Sequence, residues 1–491
     1  MADDQPGTGG AGAGHRADAL PLCVDLDGTL VATDTLWEGI LTLLRQQPML
    51  GLALPVWVLG GKARFKSELV RRARPDPAAL PYREEVVRYL REARDDGRPV
   101  VLATASHQEV AQSVADHLGI FHAVMASDGG VNLKGAHKAG ALAAAFGERG
   151  FEYIGDAAAD LPVFARAAVA STVGPEGARA ARAATETPLG RSFPLPAGGL
   201  RVWLRALRVH QWVKNVLLFL PLLAAHRFAD LPLWGLAIAA FGSLSLCAST
   251  VYVLNDLMDL EADRAHPTKR RRPFAAGQIS IPAALVAAPI LLAVAFAISL
   301  ALLPALFTGC LVAYLLLNGL YTFWLKRVAI ADVVFLACLY SLRVVAGGFA
   351  LAIPVSPWLI GFSLFFFLNL AFLKRYADLR LVAHDRGAGS PGRDYAVEDA
   401  PLLASLGPAS GTMAAVVLAL YIQSDKVATL YTRPEVLWAL IPLIMYWISR
   451  VWLVAHRGRM ADDPVLFATR DPVSYLVGGL AVGVLALGAL I

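Results

Sequence analysis

Four oxygen-bearing side chains in the middle of the chain have a spacing that could hold a cation and a phosphate. They are Asn255, Asp256, Asp259 and Asp263, at successive intervals of one, three and four residues. On an α-helix these intervals place all four on one narrow stripe, where like charges repel one another. Ligands that offer only oxygen favour Mg²⁺, which binds well between a few carboxylates and substrate phosphates. The pattern therefore predicts a magnesium site at which a diphosphate leaving group departs.

A second group of candidate catalytic residues lies in four short motifs of the N-terminal region. The first motif is an apolar segment that ends in Asp-x-Asp-Gly-Thr, and the last is Gly-Asp-x-x-x-Asp. In their order along about 135 residues, the four motifs resemble those of the haloacid-dehalogenase (HAD) phosphatases. The residues that carry this resemblance are Asp25, Asp27, Thr104, Lys138, Asp156 and Asp160.

This resemblance implies a Rossmann-like α/β domain with a helical cap that hydrolyses phosphomonoesters. Asp25 is expected to attack phosphorus, and Asp27 to protonate the leaving alcohol and then activate water. Mg²⁺ would bridge Asp25, the Asp27 carbonyl and Asp156. The remaining roles are metal support by Asp160 and phosphate binding by Thr104 and Lys138. The alternative is an inactive domain retained for assembly, which the intact set of motifs disfavours.

The composition indicates that most of the chain lies in lipid. Hydrophobic residues make up 56% of the 491 residues, and the mean hydropathy of +0.54 is well above that of soluble proteins. Long apolar segments follow one another from about residue 210 onward. A window of about 19 residues predicts an all-α domain of nine transmembrane helices. Their approximate ranges are 211–226, 231–253, 281–302, 304–324, 330–352, 356–373, 403–422, 434–454 and 472–490.

Basic residues are distributed unevenly between the loops that join these segments. If the N-terminal domain lies in the cytoplasm, the cytoplasmic loops are rich in arginine and lysine, whereas the outer loops hold only Arg227, Lys426 and Arg433. This asymmetry supports nine spans, with both active sites facing the cytoplasm. A net charge of +5 could indicate nucleic-acid binding. Because the basic residues lie beside apolar segments, with no aromatic residues interleaved, nucleic acid is not expected as a partner.

Composition and motifs together predict the domain boundaries. Residues 1–18 are expected to be a disordered tail, 19–185 the HAD-like domain, 186–205 a linker and 206–491 the membrane domain. A helical cap is expected at about residues 36–95. The apolar segment 36–60 could be mistaken for a span, but crossing the bilayer would separate Asp25 from Asp156. We therefore interpret it as a part of the cap that lies against the membrane or the membrane domain.

The Asp-rich pattern and two strings beside it carry a second resemblance. Asn255-Asp256-x-x-Asp259-x-x-x-Asp263 resembles the first Asp-rich motif of the UbiA-superfamily membrane transferases, which have nine transmembrane helices. The flanking strings are similar to the decaprenyl-phosphate phosphoribosyltransferase branch of that superfamily. They read Arg208-x-x-Gln211-Trp212-x-Lys214-Asn215 and Asp263-Arg264-x-His266-Pro267-Thr268-Lys269-Arg270-x-Arg272-Pro273. A solvated acidic helix end is the alternative, disfavoured because acidic groups at membrane depth are costly.

Aromatic prenyltransferases of this superfamily carry a second Asp-rich motif, DxxxD, in the loop after the sixth span, and this sequence departs from that pattern. In its place, Lys374-Arg375-Tyr-Ala-Asp378-Leu resembles a signature of the phosphoribosyltransferase branch. A donor and an acceptor that both carry phosphate need more cations, which lysine and arginine supply. Arg343 is expected in the middle of a span, where an unpaired guanidinium is costly and usually functional. The expected substrate-binding residues are Lys214, Asn215, Lys269, Arg270, Lys326, Arg343, Lys374, Arg375 and Asp378.

For most of these basic residues, an alternative role as topology anchors at helix ends is equally consistent with the sequence. The resemblance implies Mg²⁺-dependent transfer of 5-phosphoribose from phosphoribosyl diphosphate to a polyprenyl phosphate in the bacterial cytoplasmic membrane. The fused HAD domain would then remove the 5-phosphate. An aromatic prenyltransferase and a non-catalytic membrane anchor are the alternatives. The sequence leaves homo-oligomerisation open.

Overall fold

A computed structural model describes residues 20–128, 132–195, 198–384, 394–460 and 463–490. The expected tail, residues 1–18, lies outside these residues. The chain divides into two compact units. The first comprises Met1–Ala206 and Asp256–Val286, and the second comprises Leu207–Asn255 and Ala287–Ile491.

The first unit is built on a six-stranded parallel sheet in the order β3-β2-β1-β4-β5-β6. Successive side chains of β1 point to opposite faces, so Leu22 and Val24 join one buried apolar cluster and Cys23 joins another. Burial of both faces explains why the central strand β1 is a continuous apolar run, and the parallel sheet with helices is consistent with a Rossmann-like α/β fold. The strands are β1 Leu22–Val24, β2 Val100–His107, β3 Ala123–Ser127, β4 Glu152–Gly155, β5 Val169–Val173 and β6 Leu189–Phe193.

Helices cover the sheet and form the cap. The cap has its own small core, in which Leu43 and Phe65 pack together. The helices are α1 Thr35–Gln46, α2 Leu54–Leu59, α3 Lys62–Arg72, α4 Glu84–Asp95, α5 Gln108–Leu118, α6 Ala136–Phe146, α7 Leu161–Phe164, α8 Gly174–Ala183 and α9 Leu200–Ala206.

Two sequence-based boundaries need correction. The expected linker, residues 186–205, contains β6, which pairs with β5 at the edge of the sheet, and α9. The expected cap, residues 36–95, is too long, because Val86 and Leu90 of α4 belong to the same core as Leu22. β6 was not predicted because few of its five residues are apolar. A strand at the edge of a sheet pairs with one strand only, so it needs fewer apolar residues than a central strand.

The apolar segment at 36–60 forms short helices. α1 has 12 residues, and the apolar helical segment Pro48–Leu59 that follows also has 12, fewer than the roughly 20 needed for a span. Met49, Leu52 and Leu59 expose 78–87% of their surface. Contact of this apolar face with the membrane or the membrane domain stays a prediction.

The second unit is helical, and eight helices in the described part of the chain are long and apolar enough to cross a membrane. The expected first span near 211–226 is a short apolar segment, Val209–Ala224, so the count of nine is not confirmed. The eight candidate spans lie in α11 Leu231–Met258, α13 Ile281–Leu302, α14 Ala305–Phe323, α15 Ala331–Leu351, α16 Pro357–His384 (span to Leu381), α17 Ala400–Ile422 (span from Val397), α19 Leu440–His456 (span from Pro434) and α21 Pro472–Leu490 (span to Ala489). Shorter helices of the second unit are α10 Leu220–Ala224, α18 Asp425–Leu430 and α20 Pro464–Ala468, whereas α12 Leu260–Ala265 belongs to the first unit.

Residues 256–286, which include Asp256, Asp259 and Asp263, pack within the first unit. Arg264 of α12 donates to both carboxylate oxygens of Glu38 in α1, at 2.7 and 3.0 Å, and these side chains are only 8% and 5% exposed. Arg264 also donates to the carbonyl oxygens of Ala79 and Ala275. This buried pair ties the HAD cap to the segment that carries the Asp-rich residues.

We expect Arg264→Gln to lower the free energy of unfolding of the first unit by about 3–5 kcal/mol, because the Glu38 carboxylate would stay buried without its cation. Arg45→Gln is a matched control, since Arg45 pairs with Glu261 between the same two helices, but with side chains 34% and 26% exposed. Its expected cost is at most about 1 kcal/mol. Pulse proteolysis in urea on the full chain measures both. Equal losses would contradict the special role of the buried pair.

Candidate active sites

The HAD residues meet where the strand order reverses. β1 lies between β2 and β4. The chain adds β2 and β3 on one side of β1 and then β4, β5 and β6 on the other side. Ligands of open parallel sheets bind in the crevice at this switch point, outside the carboxyl ends of the strands. Asp25 follows β1, and Asp156 follows β4. The sheet topology therefore brings together two carboxylates that are far apart in sequence.

Three carboxylates converge at this edge. Oxygens of Asp25, Asp156 and Asp160 lie within 4.8 Å of one another, which suits a divalent cation with oxygen ligands. Lys138 of α6 places its Nζ 3.0 Å from Asp25 Oδ1 and 3.5 Å from Asp160 Oδ1. The Tyr153 hydroxyl also donates to Asp160, at 2.8 Å. The structure thus brings the predicted nucleophile, lysine and metal ligands into one cluster.

Asp27 faces a different set of partners. Its Oδ1 accepts the backbone N–H of Thr35 at 2.8 Å, and its Oδ2 accepts a short hydrogen bond from Ser106 Oγ. Ser106 was not selected from the sequence, although it lies two residues after Thr104 on β2. The buried Thr104 hydroxyl accepts the Ser106 N–H at 3.1 Å, so its expected phosphate contact stays a prediction.

Gly28 is required by the geometry of this loop. Its φ of +77° lies in the left-handed region that favours glycine. A Cβ at this position would overlap the carboxylate of Asp156. The glycine of the first motif therefore lets the loop after β1 approach the loop after β4.

Crowding of carboxylates in a buried site changes their acidity. Burial raises the pKa of Asp25 to about 6, despite the opposing charge of Lys138. Burial likewise raises the pKa of Asp27 to about 6. Burial, together with the charge of Asp25, raises the pKa of Asp156 to about 7. A bound cation would relieve this repulsion, so the donor set fits Mg²⁺.

We expect Mg²⁺ to stabilise the HAD domain, and to do so more at pH 8 than at pH 5.5. Without metal, the raised pKa values mean that the folded state binds more protons than the unfolded state between about pH 4 and 7. Stability from these groups therefore falls as pH rises through that window. Mg²⁺ needs ionised ligands, so its stabilisation, about 2.7 kcal/mol at a hundredfold excess over Kd, should be largest above pH 7.

Thermal unfolding of the full chain with EDTA or with Mg²⁺ at the two pH values tests this expectation. Asp156→Asn is the control, since it removes one carboxylate of the cluster and should abolish most of the Mg²⁺-dependent shift in Tm. A shift of the same size at both pH values would contradict the expected proton linkage.

The Asp-rich residues do not lie on one continuous helix, which corrects the sequence-based expectation. α11 ends at Met258, Asp259 has φ −97° and ψ 10°, and α12 begins at Leu260. Arg272 then joins the two parts, because its Nη1 lies 3.3 Å from Asp256 Oδ1 and 2.6 Å from Asp263 Oδ2. Both carboxylates are buried, so Arg272 organises the Asp-rich segment.

In the second unit, two lysines predicted to bind phosphate meet at one carboxylate. Lys214 and Lys374 place their Nζ atoms 3.0 and 3.1 Å from Asp463 Oδ2. Burial alone would raise the pKa of Asp463, but the charges of Lys374 and Lys214 outweigh it and hold this pKa well below its usual range. Asp463 was missed because, next to Pro464, it resembles a simple helix N-cap, which it also is.

Arg343 is buried in α15, as expected for a residue in the middle of a span. It donates to Asn215 Oδ1 at 3.0 Å and lies about 5 Å from the ring centroids of Tyr314 and Tyr340. Hydrogen bonds and cation–π contacts therefore compensate for the loss of hydration. Asn215 also donates to Ser245 Oγ. Two of the predicted substrate-binding residues thus form one polar cluster inside the helical bundle.

Arg375 lies in a buried network that sequence reasoning missed. It donates to Asp332 at 2.5 Å, to Asp378 at 3.1 Å and to the Tyr321 hydroxyl at 3.0 Å. The Arg375 side chain is only 2% exposed, and these three protein groups already bind its guanidinium. Asp332 gave no signal in the sequence beyond being an acidic residue at the start of an apolar helix. Direct substrate contacts by Arg375 and Asp378 stay predictions.

The remaining predicted residues lie at the ends of helices. Asn255, the last residue of its part of the second unit, accepts a hydrogen bond from Thr322 Oγ1 at 3.2 Å. Lys326 is half-buried in the short turn Leu325–Arg327. Lys269 and Arg270 are exposed on the turn Lys269–Arg271 of the first unit.

Comparison with known proteins agrees with this division of the chain. Residues 216–470 match the UbiA prenyltransferase family, and residues 22–165 match the haloacid dehalogenase-like hydrolases. An uncharacterized protein of Sinorhizobium fredii is 38% identical over 94% of this chain and 89% of its own. The nodulation protein NoeC of Azorhizobium caulinodans is 36% identical over 57% of this chain and 92% of its own.

A third relative has a named activity. The decaprenyl-phosphate phosphoribosyltransferase of Mycolicibacterium smegmatis is 32% identical over 55% of this chain and 86% of its own. The apolar helices and the matched families together identify an integral membrane enzyme. The chain therefore belongs to the UbiA prenyltransferase family and carries a HAD-like phosphatase domain at its N-terminus.

Proposed function

We propose that the membrane domain transfers 5-phosphoribose from phosphoribosyl diphosphate to a polyprenyl phosphate, and that the HAD domain then removes the 5-phosphate. The observation that carries this proposal is the 32% identity to a decaprenyl-phosphate phosphoribosyltransferase over most of that enzyme's length. The basic residues at Lys214, Lys374 and Arg343 support it, since substrates with several phosphates need several cations.

In the transfer step, an oxygen of the acceptor phosphate forms a bond to C1 of the ribose, while the bond from C1 to the diphosphate oxygen breaks. Lys214 and Lys374 lie close enough to bind one phosphate group between them, with Asp463 holding both side chains in place. Arg272 keeps the carboxylates of Asp256 and Asp263 directed to one point. These residues bind and orient the phosphates, which is most of what phosphoryl-bearing substrates require.

In the second step, the Asp25 carboxylate attacks the 5-phosphate, and the bond from phosphorus to the ribose 5-oxygen breaks. Asp27 gives its proton to that oxygen, and its raised pKa of about 6 keeps it partly protonated near neutral pH. Asp27 then takes a proton from the water that hydrolyses the aspartyl phosphate, which releases inorganic phosphate. Lys138 forms a salt bridge with Asp25, at 3.0 Å, and would orient this nucleophile.

In the HAD domain the donor set fits Mg²⁺. In the HAD domain the ion would be held by Asp25, the Asp27 carbonyl and Asp156, with Asp160 beside them. When bound, it would supply positive charge that offsets the charge of the phosphates. In the membrane domain the holding residues would be Asn255, Asp256, Asp259 and Asp263. The enzyme would lie in the bacterial cytoplasmic membrane with both sites facing the cytoplasm.

The proposal is tested by incubating the purified full chain with Mg²⁺, phosphoribosyl diphosphate labelled in the ribose and a polyprenyl phosphate. We expect label to enter the lipid fraction and EDTA to prevent it. A parallel reaction with a prenyl diphosphate and 4-hydroxybenzoate tests the aromatic prenyltransferase alternative. Prenylation of the aromatic acceptor without labelled lipid would overturn the proposal.

A further inference from the structure

A large open cavity lies within the first unit, beside the HAD active site rather than in it. Its volume is about 1250 Å³, larger than the roughly 300–1,000 Å³ of ordinary small-molecule sites. The HAD domain forms one wall, including the ends of β5 and β6 at Val173 and Phe193. The segment from Glu261 to Gln278, which contains Asp263, forms the other wall.

Buried contacts hold these two walls together. The Arg264–Glu38 pair fixes α12 to the cap. Gly277, with φ +63°, lies so close to the carbonyl of Ala32 that a Cβ would overlap it. A cavity with walls fixed in this way is formed before a ligand arrives, which lowers the entropic cost of binding.

The cavity carries arginines that form no salt bridge with a carboxylate of the described residues. Two of its six arginines, Arg45 and Arg264, are in salt bridges. Among the described residues the other four form none, which makes them available to an anion. Arg83 donates to the carbonyl of Gly28, and Arg205 donates to Gln278. The four arginines are Arg83, Arg205, Arg270 and Arg271.

The same cavity is also lined by hydrogen-bond acceptors. The carboxylates of Asp76, Glu84 and Glu85 line it, which disfavours a bare inorganic anion. A sugar phosphate satisfies both kinds of group, because its phosphate accepts from arginine and its hydroxyls donate to carboxylates.

The position of the cavity links it to both halves of the proposed reaction. Arg83 lines the cavity, and its Nε lies 3.1 Å from the carbonyl oxygen of Gly28, the residue after the catalytic Asp27. Arg270 and Arg271, on the opposite wall, follow Asp263 by seven and eight residues. A ligand between these arginines would touch the segment that carries the transferase carboxylates and the loop that carries the phosphatase nucleophile.

We propose that this cavity binds the phosphorylated pentose headgroup of the lipid product and presents its 5-phosphate to the HAD site. This inference rests on the proposed function, because it assumes that the phosphomonoester is attached to a pentose. The arginines hold the phosphates, and the carboxylates at the start of α4 hold the ribose hydroxyls. Arg83 lies where the cavity meets the catalytic loop.

Ribose 1,5-bisphosphate is a soluble probe for this headgroup, since its two phosphates stand at the positions of the lipid phosphate and the 5-phosphate. Its binding is measured by calorimetry on the full chain that carries Asp25→Asn, which prevents turnover. We expect Arg270→Gln/Arg271→Gln to raise the Kd at least about tenfold, because charge-assisted hydrogen bonds are lost. Arg201→Gln is the matched control, an exposed arginine of α9 outside the cavity, and should leave Kd unchanged.

A second measurement uses the chain with Asp25 intact. The double variant should raise KM for ribose 1,5-bisphosphate by a much larger factor than KM for p-nitrophenyl phosphate, which lacks the pentose and the second phosphate. An unchanged Kd in the double variant, or equal effects on both phosphatase substrates, would overturn the cavity proposal. If the double variant weakens the probe but the wild-type chain makes no labelled lipid, the cavity binds a pentose phosphate from another source and the proposed transfer fails.

Discussion

Asp25→Asn is expected to lower phosphatase activity at least about a thousandfold while sparing lipid labelling, because an amide cannot attack phosphorus. The substitution keeps the shape of the side chain. Lys138 would retain Asp160 as a charged partner, at 3.5 Å, so the domain should fold. The wild-type chain should therefore accumulate polyprenyl phosphoribose, and the variant its 5-phosphorylated precursor.

Mass spectrometry separates these two lipids by one phosphate. Asp34→Asn is a suitable control, since Asp34 is exposed and caps α1 through its side chain without joining the carboxylate cluster. It should give the wild-type lipid. If the wild type and Asp25→Asn yield the same phosphorylated lipid, the HAD domain acts on a different substrate.

Asp256→Ala should lower transfer of phosphoribose about a hundredfold or more, because the segment loses a buried carboxylate at the point where the diphosphate would depart. Arg272 keeps its 2.6 Å contact with Asp263, so the fold of the segment should persist. Activity is measured as labelled lipid, and folding as the Tm of the full chain.

Glu261→Gln provides the matched control, since Glu261 is an acidic residue of the same segment that binds Arg45 and Thr42. It should transfer phosphoribose at nearly the wild-type rate. Transfer at the wild-type rate by Asp256→Ala would remove the Asp-rich segment from the proposed site, and an equal loss in Glu261→Gln would indicate that the substitutions act on folding.

The four HAD motifs were predictable from the sequence because the local structure of each is set by residues that are adjacent in the chain. A short apolar run predicts a buried strand, and the polar residues after it must lie at the carboxyl edge of a parallel sheet. Asp25, Asp156 and Lys138 met as predicted. Membrane helices were predictable for a similar reason, since lipid requires about 20 consecutive apolar residues whatever the rest of the chain does.

Boundaries and helix continuity were harder to predict. The Asp-rich stripe assumed one helix through Asp263, but helical spacing in a sequence does not show where a helix breaks. α4 resembles the cap in its charge pattern, yet its apolar face packs against the sheet. An amphipathic pattern predicts that one face of a helix packs against another part of the protein, but it does not identify that part.

The sequence by itself determined the two domains and their families, because each motif is made of residues that are close together in the chain. Only the tertiary structure showed that Asp463 joins Lys214 to Lys374, that Ser106 binds Asp27, and that Arg264 pairs with Glu38. Glu38 and Arg264 are 226 residues apart. Such a pair forms because a buried charge must find an opposite charge, and the packing of the elements decides which one it meets.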